Sequence, residues 1–425
     1  MFLKIKGLFV SDFSKILLSY ASSQVAGNIL KMIAGFLTVR LIAPDIYGYF
    51  SGKGIFLGYL SLAHIGILNG LNRELPVEQG RGNIGQVKEL ASVGYWVSLF
   101  IGIPSSILLI VLGVISFIHE DVQESMIYFT YATSAFFLLL NKFYLPILYR
   151  TNQDFTKLTK ITIYTAVINI ATVFFVWWQD NYWGLCIRLI ILNVIEFFFL
   201  YYLRPVKVSP KWSLKSVKQL LHTGIPIYIV GYINPLWDTI KNNIIFSLGG
   251  GISYGYFALS TVVSGAVGMI PNSFSQIIYP KMAISFGKGE SKRSIIQSSI
   301  KPMFLLFGIS CVIAILGYFL LEPMVRFFLP KYIPGVDAAL WTLGLPIIAS
   351  FSLVSNYFNV YKKQGLYIIG IVSGIIASSI YLFIYYQLFG FNINMFPQSL
   401  LIGSFVQNAV CLSLIIIDVR KDGRS

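Results

Sequence analysis

Twelve runs of apolar residues follow one another along this chain, at 16–42, 47–71, 91–117, 126–149, 158–178, 183–203, 223–248, 253–278, 302–321, 338–361, 366–388 and 397–417. Each is long enough to cross about 30 Å of hydrocarbon as a helix. The runs are continuous and lack the two-residue alternation of barrel strands, so they predict transmembrane helices. The expected class is an all-α integral membrane protein with twelve spans.

The polar positions between the runs carry the topology. Of the 32 Lys and Arg residues, 24 fall in the N-terminal stretch, the even-numbered connections or the C-terminal stretch. Arg73, Arg81 and Lys88 follow the second run, and Lys362 and Lys363 follow the tenth. Only Arg326 and Lys331 sit in odd-numbered connections, and the third connection carries Glu120, Asp121 and Glu124 instead. By the positive-inside rule both termini are cytoplasmic. The first run is too long for a signal peptide and is expected to stay as the first span. In the most basic connection, 204–222, Ser213 is placed to cap a short amphipathic helix at the lipid interface. Leu214, Val217, Leu220 and Leu221 would form one face of it, and Lys215 and Lys218 the other.

Composition closes off other classes. At 56% hydrophobic and 12% charged, with mean hydropathy +0.74, the chain has too little polar surface to cover a soluble globule. A net charge of +15 would point to nucleic acid in a soluble protein. Here the excess lies beside the spans, where topology and anionic lipid account for it, so no nucleic acid is expected. Cys186, Cys311 and Cys411 are isolated in apolar runs, which predicts neither a disulfide framework nor a metal site. No cofactor is expected, and no nucleotide-binding G-x-x-x-x-G-K loop is present.

The chain repeats itself at an offset of 207 residues: Tyr47-Gly48-Tyr49-Phe50 returns as Tyr254-Gly255-Tyr256-Phe257. Both copies open the second helix of a six-helix half. Gly80-Arg81-Gly82 likewise matches Gly287-Lys288-Gly289, and Tyr149-Arg150 resembles Tyr361-Lys362 at a slightly different offset. Both halves begin on the same side, so the repeat is parallel, with its axis along the membrane normal. The expected lobes are 1–205 and 206–425.

Several of these residues carry a resemblance. Arg40-Leu41-Ile42-Ala43-Pro44 leads into the first tetrapeptide, and Asn72-Arg73-Glu74-Leu75-Pro76 closes the second run. Asn28 and Lys31 in the first run, Trp237-Asp238-Thr239-Ile240-Lys241 in the seventh and Tyr279-Pro280-Lys281 after the eighth complete the series. In that order they resemble the polysaccharide flippases of the multidrug/oligosaccharidyl-lipid/polysaccharide (MOP) exporter superfamily, most closely the O-antigen translocases called Wzx. The resemblance implies two six-helix lobes in a V around a central cavity lined by spans 1, 2, 7 and 8. It also implies a non-enzymatic activity, the movement of undecaprenyl-pyrophosphate-linked sugar units from the inner to the outer leaflet of a bacterial inner membrane. A polysaccharide polymerase and a chain-length regulator are candidate partners, beside the membrane lipids.

Six cations remain inside apolar runs: Lys31, Arg40, Lys53, Lys142, Arg188 and Lys241. A cation at bilayer depth costs about 2.5–3.5 kcal/mol on insertion scales and so marks function or a partner. Lys31 is near the middle of its run, on a stripe with Gln24, Asn28, Gly35 and Thr38. Asp238 occupies the matching repeat position and forms an i, i+3, i+4 cluster with Lys241 and Asn242. Lys31, Asn28, Lys53, Asp238, Lys241, Asn242, Arg40 and Lys142 are therefore the candidate substrate-binding residues. A local Asp238–Lys241 pair is the structural alternative, as is interface anchoring for Lys53, Arg40, Arg188 and Lys142. His64 is expected to be a packing histidine. Glu196, at mid-depth and two turns from Arg188, is a candidate for ion coupling together with Asp238.

Six cations against two acids suit a pyrophosphate. Sugars would have aromatic rings to stack on, although most aromatics in spans are ordinary packing. A cation-coupled multidrug antiporter of the same superfamily is the first alternative, and it would want acids to dominate. A membrane-embedded polymerase is the second, and it would need a sizeable outer loop, which this chain lacks.

Overall fold

The structure, a computed structural model, describes residues 12–152, 154–178, 182–287 and 290–422; the side chains of 12–25 and of Asn28 are among those outside the description. Among the described residues every regular element is helical, and nine helices are long and apolar enough to cross a membrane. Each apolar run falls on helix. Asp12–Leu41, Ile84–Ile118, Tyr182–Tyr202, Lys292–Phe328, Gln364–Phe389 and Met395–Asp422 are uninterrupted. Side chains such as Phe319, Phe383 and Leu388 stay exposed on them, as lipid-facing positions should. The chain is a multi-pass membrane protein.

Other runs are helical but broken. The second contains Pro44–Lys53, Phe56–Leu60 and Ile67–Gly80, separated by turns in which Ile65 (φ 44°) and Gly66 (φ 87°) are left-handed. The tenth contains Leu345–Ala349, a 3₁₀ stretch at Ser350–Ser355 and Asn356–Val360. Such interruptions free backbone groups and are tolerated at membrane depth only where protein or water meets them. Inside the second run His64 does so: it is 1% exposed, and Gly66 N–H donates to its Nδ1 at 3.2 Å. Its Nε2 lies 3.2 Å from the Tyr232 hydroxyl, and Phe143, Tyr228 and Tyr232 pack edge-on around the ring. The expected packing role is the one observed.

The amphipathic helix expected at 213–222 is not a separate surface element. It is the start of the long helix Leu214–Gly287, whose helical geometry breaks at Gly250 (φ 67°), between the seventh and eighth runs. Ser213 does cap it, since Ser216 N–H donates to Ser213 Oγ at 3.4 Å. Both serine hydroxyls also donate to Glu89, at 2.8 and 2.5 Å, and Thr223 donates to Glu74 at 3.0 Å. These carboxylates hold the first turns against protein, with Val217 and Leu220 buried, rather than against lipid.

The chain divides into two compact units, Met1–Ile42 with Lys53–Thr239 and Ala43–Gly52 with Ile240–Ser425. This partition follows contacts, whereas the halves 1–205 and 206–425 follow the sequence repeat. The first unit is built on a core that includes Leu71, Leu75, Leu90, Tyr144, Tyr149 and Leu220. The core of the second includes Met282, Leu306, Tyr357, Phe358 and Cys411.

Each unit contains a helix crossing that only glycine permits. In the second unit a Cβ on Gly48 would lie 1.8 Å from the Gly251 carbonyl oxygen, and one on Gly255 would lie 1.8 Å from the Pro44 carbonyl oxygen. The glycines of the two tetrapeptide copies thus bring their helices into backbone contact, as small residues do in membranes. In the first unit a Cβ on Gly224 would meet the Gly66 oxygen at 2.0 Å, and one on Gly70 the Leu220 oxygen at 2.1 Å.

Replacing Gly48 or Gly224 by Ala must therefore move backbone. We expect each to destabilise the detergent-solubilised protein by about 1–3 kcal/mol. Gly265→Ala, where nothing lies within 4 Å, should be neutral or stabilising by about 0.5–1 kcal/mol. Thermal unfolding of the three variants checks this, and equal melting shifts would remove the crossings from the fold's support.

Candidate functional site

A cavity of about 310 Å³ opens inside the first unit, lined among others by Lys31, Ser134, Lys142, Asn169, Asn193 and Glu196. Four helices bring these side chains together. Lys31 comes from Asp12–Leu41, and Ser134 from Val122–Leu139. Thr165 and Asn169, one turn apart, come from Phe155–Ala171; Asn193 and Glu196 come from Tyr182–Tyr202. Lys142 sits on a π-helical turn, Leu140–Tyr144, set into the fourth span. A π turn adds a residue to the helical repeat and re-aims the side chains that follow it, and such turns are frequent at functional sites.

The polar contacts are specific. Lys142 Nζ donates to both Glu196 oxygens, at 2.8 and 3.1 Å. Asn193 Nδ2 donates to Ser134 Oγ at 3.0 Å and to the Leu189 carbonyl at 2.9 Å, while Asn141 Nδ2 donates to the Asn193 carbonyl at 3.0 Å. Arg188 donates to Asn169 Oδ1 at 2.7 Å. Glu196 faces Lys142, and Arg188 donates to an amide on a neighbouring helix.

Lys31 faces the same cavity and is exposed to it. Among the described residues no carboxylate is in ion-pair contact with it, because Glu196 is held by Lys142. Counting Arg188 beside Asn169, the cavity region carries, among the described residues, three cations against one acid. A positive interior with amide and hydroxyl donors can bind an anion.

The other predicted residues lie elsewhere. Lys53 is tied to Glu124 of the third connection, with the Tyr128 hydroxyl at 3.2 Å and the Tyr128 ring centroid at 5.1 Å. Anchoring at the end of the helix, rather than cavity lining, is the arrangement found for it. Arg40 is exposed at the C-terminal end of Asp12–Leu41. Asp238 is exposed, Asn242 is half-buried and Lys241 is 4% exposed. Asp238 belongs to the first unit, Lys241 and Asn242 to the second, and none of the three lines the Lys31 cavity. The side chain of Asn28 lies outside the described residues. Ser134, Thr165, Asn169 and Asn193 were missed by sequence reasoning. Their signal was available: amides at Asn169 and Asn193 interrupt otherwise apolar runs, and Asn193 stands three residues before Glu196.

Comparison with known proteins now decides the family. The model of the family described as "Polysaccharide biosynthesis protein" matches residues 37–331. The chain belongs to this family. No curated protein matches it. Among solved structures, this family member is similar to an inward-facing multidrug resistance MATE family transporter of the MOP superfamily, with TM-score 0.73 and 13% identity over 94% of this chain and 96% of that one. An outward-facing conformation of such a transporter matches with TM-score 0.64 and 12% identity over 99% and 98% of the two chains. A MOP superfamily transporter from Pyrococcus furiosus, for which a reverse polarity of the binding pocket is described, matches with TM-score 0.59 and 13% identity over 96% and 94%. At such identity the likeness establishes the fold. The member of the polysaccharide biosynthesis family described here has the helical fold of MOP-superfamily transporters.

The pairing within the cavity is testable by double-mutant cycles on thermal stability. Lys142→Met with Glu196→Gln should show a coupling of about 0.5–1 kcal/mol, given the half-exposed lysine. Arg188→Met with Glu196→Gln should be additive to within about 0.3–0.5 kcal/mol. Coupling in the second cycle and not the first would reverse the assignment.

Proposed function

We propose that this chain is a flippase for lipid-linked oligosaccharides. It carries undecaprenyl-pyrophosphate-linked repeat units, of O-antigen or a similar polysaccharide, from the cytoplasmic to the outer leaflet of a bacterial inner membrane. The observation that carries the reading is the Lys31 cavity, whose cations outnumber its acids among the described residues. A pyrophosphate needs its charge neutralised on the way across hydrocarbon, and lysines lining a cavity supply it. Membership of a polysaccharide biosynthesis family supports a glycan as the rest of the cargo.

The mechanism proposed is alternating access of the repeat halves 1–205 and 206–425, with the head group on the cationic stripe and the lipid tail left in the bilayer. Relatives in fold described as inward-facing and outward-facing support two such states. Both termini would be cytoplasmic, on the distribution of Lys and Arg. Asp238, Lys241, Asn242 and Asn28 stay in the proposal as residues met by the substrate during the cycle, and polymerase and chain-length regulator as partners.

A second reading has its own observation. The structural relatives are described as multidrug resistance transporters, and Glu196 is a carboxylate inside a span that proton or sodium coupling would use. In this reading the cargo is an amphiphilic cation and Glu196 dominates.

A charge-assisted contact to phosphate is worth about 1.5–3 kcal/mol, so Lys31→Ala should weaken substrate binding about 10- to 150-fold. Lys31→Arg should retain part of the function, and Lys31→Asp should be worse than alanine. The readout is surface polysaccharide display in a strain lacking its native flippase, with expression verified by blot. Normal display from well-expressed Lys31→Asp removes Lys31 from the mechanism. Drug resistance conferred by the wild type and abolished by Glu196→Gln, without any polysaccharide phenotype, selects the antiporter.

A further inference from the structure

A larger cavity than that at Lys31 lies elsewhere in the fold. It is a groove of about 780 Å³ in the second unit, between the start of Lys292–Phe328, the tenth run and the end of Met395–Asp422. That volume is within the roughly 300–1,000 Å³ of small-molecule sites. Its walls divide sharply by polarity. Ile296, Ile300, Val354, Leu412, Ile415 and Ile416 form an apolar floor, while Ser291, Lys292, Arg293, Gln297 and Arg420 stand at one end. From Leu412 to Arg420, eight residues at 1.5 Å rise each, the groove runs about 12 Å along the helix from its apolar floor to its cationic rim.

The rim is organised by Asp418. Tyr357 donates its hydroxyl to this carboxylate, Lys363 Nζ lies 2.5 Å from it and Lys292 Nζ 3.3 Å. The Lys292 ammonium also stands 5.6 Å from the centroid of the Tyr361 ring. Arg293 and Arg420 are exposed. Among the described residues, Lys292, Arg293, Lys363 and Arg420 face two carboxylates, Asp418 and Glu290, and Glu290 is engaged by Ser294 at 3.0 Å. The rim keeps a positive excess at the end of two spans, where a bilayer has its head groups.

We propose that this groove binds an anionic phospholipid of the surrounding bilayer, with the phosphate at Arg293, Arg420 and Lys292 and one acyl chain along the isoleucine floor. An amphiphile with one charged end matches both halves of the lining. Basic pockets between helices at the membrane surface take lipid head groups in this way. A glycan-bearing lipid fits less well, because beyond the cations the rim offers only Ser291 and Gln297 as further polar lining, and the floor none. The bound lipid would brace the start of one span against the end of another. This proposal does not depend on the flippase reading.

The test uses the full-length protein in detergent, titrated with phosphatidylglycerol, phosphatidylcholine or inorganic phosphate alone. Bound lipid is counted by native mass spectrometry, and stability is followed by thermal unfolding. Each basic residue near a charged lipid is worth about a fivefold change in affinity. Phosphatidylglycerol should therefore bind at least about tenfold tighter than phosphatidylcholine and raise the melting temperature. Arg293→Ala with Arg420→Ala should remove most of that preference, Arg293→Lys with Arg420→Lys should keep most of it, and Ile416→Trp, which fills the floor, should weaken both lipids. Equal binding of the two lipids, an unchanged preference in the double alanine variant, or the same stabilisation by inorganic phosphate alone overturns the proposal. So does displacement of phosphatidylglycerol by an equimolar polyprenyl phosphate, which would make the groove a substrate site.

Discussion

An ammonium group inside hydrocarbon must keep water, a carboxylate or both, and this one constraint shapes the first unit. Lys142 satisfies it through Glu196, at 2.8 Å across two helices. The pair does more than neutralise a charge. It fixes the fourth span against the sixth at the level where the π turn changes the helical register, and it consumes the only acid that lines the cavity among the described residues. Lys31 is left facing the same space with no described carboxylate in ion-pair contact. The pair stands partly exposed, so its own contribution to stability is modest. Its consequence for the electrostatics of the cavity is larger, because the sign of the interior depends on which cation Glu196 neutralises.

The fold was largely legible in the sequence. Length and continuity of the apolar runs predict spans irrespective of tertiary context, since the solvent for these helices is the bilayer. What was not legible is where the spans break. A run such as 47–71 reads as one continuous span, yet it holds three helical pieces, and at the second break Ile65 and Gly66 take left-handed conformations that His64 supports with its ring nitrogen. The π turn at Leu140–Tyr144 likewise leaves no mark on hydropathy. The amphipathic pattern at 214–221 was real but ambiguous. An apolar face opposite lysines reads equally as a helix on lipid or a helix on protein, and Glu74 and Glu89, distant in sequence, settle it for protein.

The candidate site was legible as a set of residue types and not as a constellation. Lys31, Lys142 and Glu196 stand out because charge is rare in apolar runs, and all three line one cavity. The repeat offset linked Lys31 to Asp238 instead, which is a statement about equivalent positions in two halves and carries no distance. Lys53 shows the limit from the other direction. Its position inside a run suggested the cavity, but a lysine near a helix end can turn toward the interface, where Glu124 and Tyr128 are available. Pairing across helices is long-range information, and the neutral residues that complete the cavity, Ser134, Thr165, Asn169 and Asn193, become visible only once four helices are assembled.

The tetrapeptide repeat shows how a weak sequence signal acquires a physical meaning. Tyr-Gly-Tyr-Phe occurring twice is unremarkable in a chain with 26 Tyr, 34 Phe and 36 Gly. In the structure the glycine of each copy removes the one carbon that would collide with backbone of the helix bearing the other copy. Each copy therefore needs its own glycine for the same crossing, and a side chain at either position would separate the helices whatever stood at the other. Among the tyrosines, Tyr254 packs edge-on to Phe246, and Tyr49 packs against the same ring at a tilt. The steric requirement of the crossing thus falls on Gly48 and Gly255, whose missing side chains let the two backbones meet.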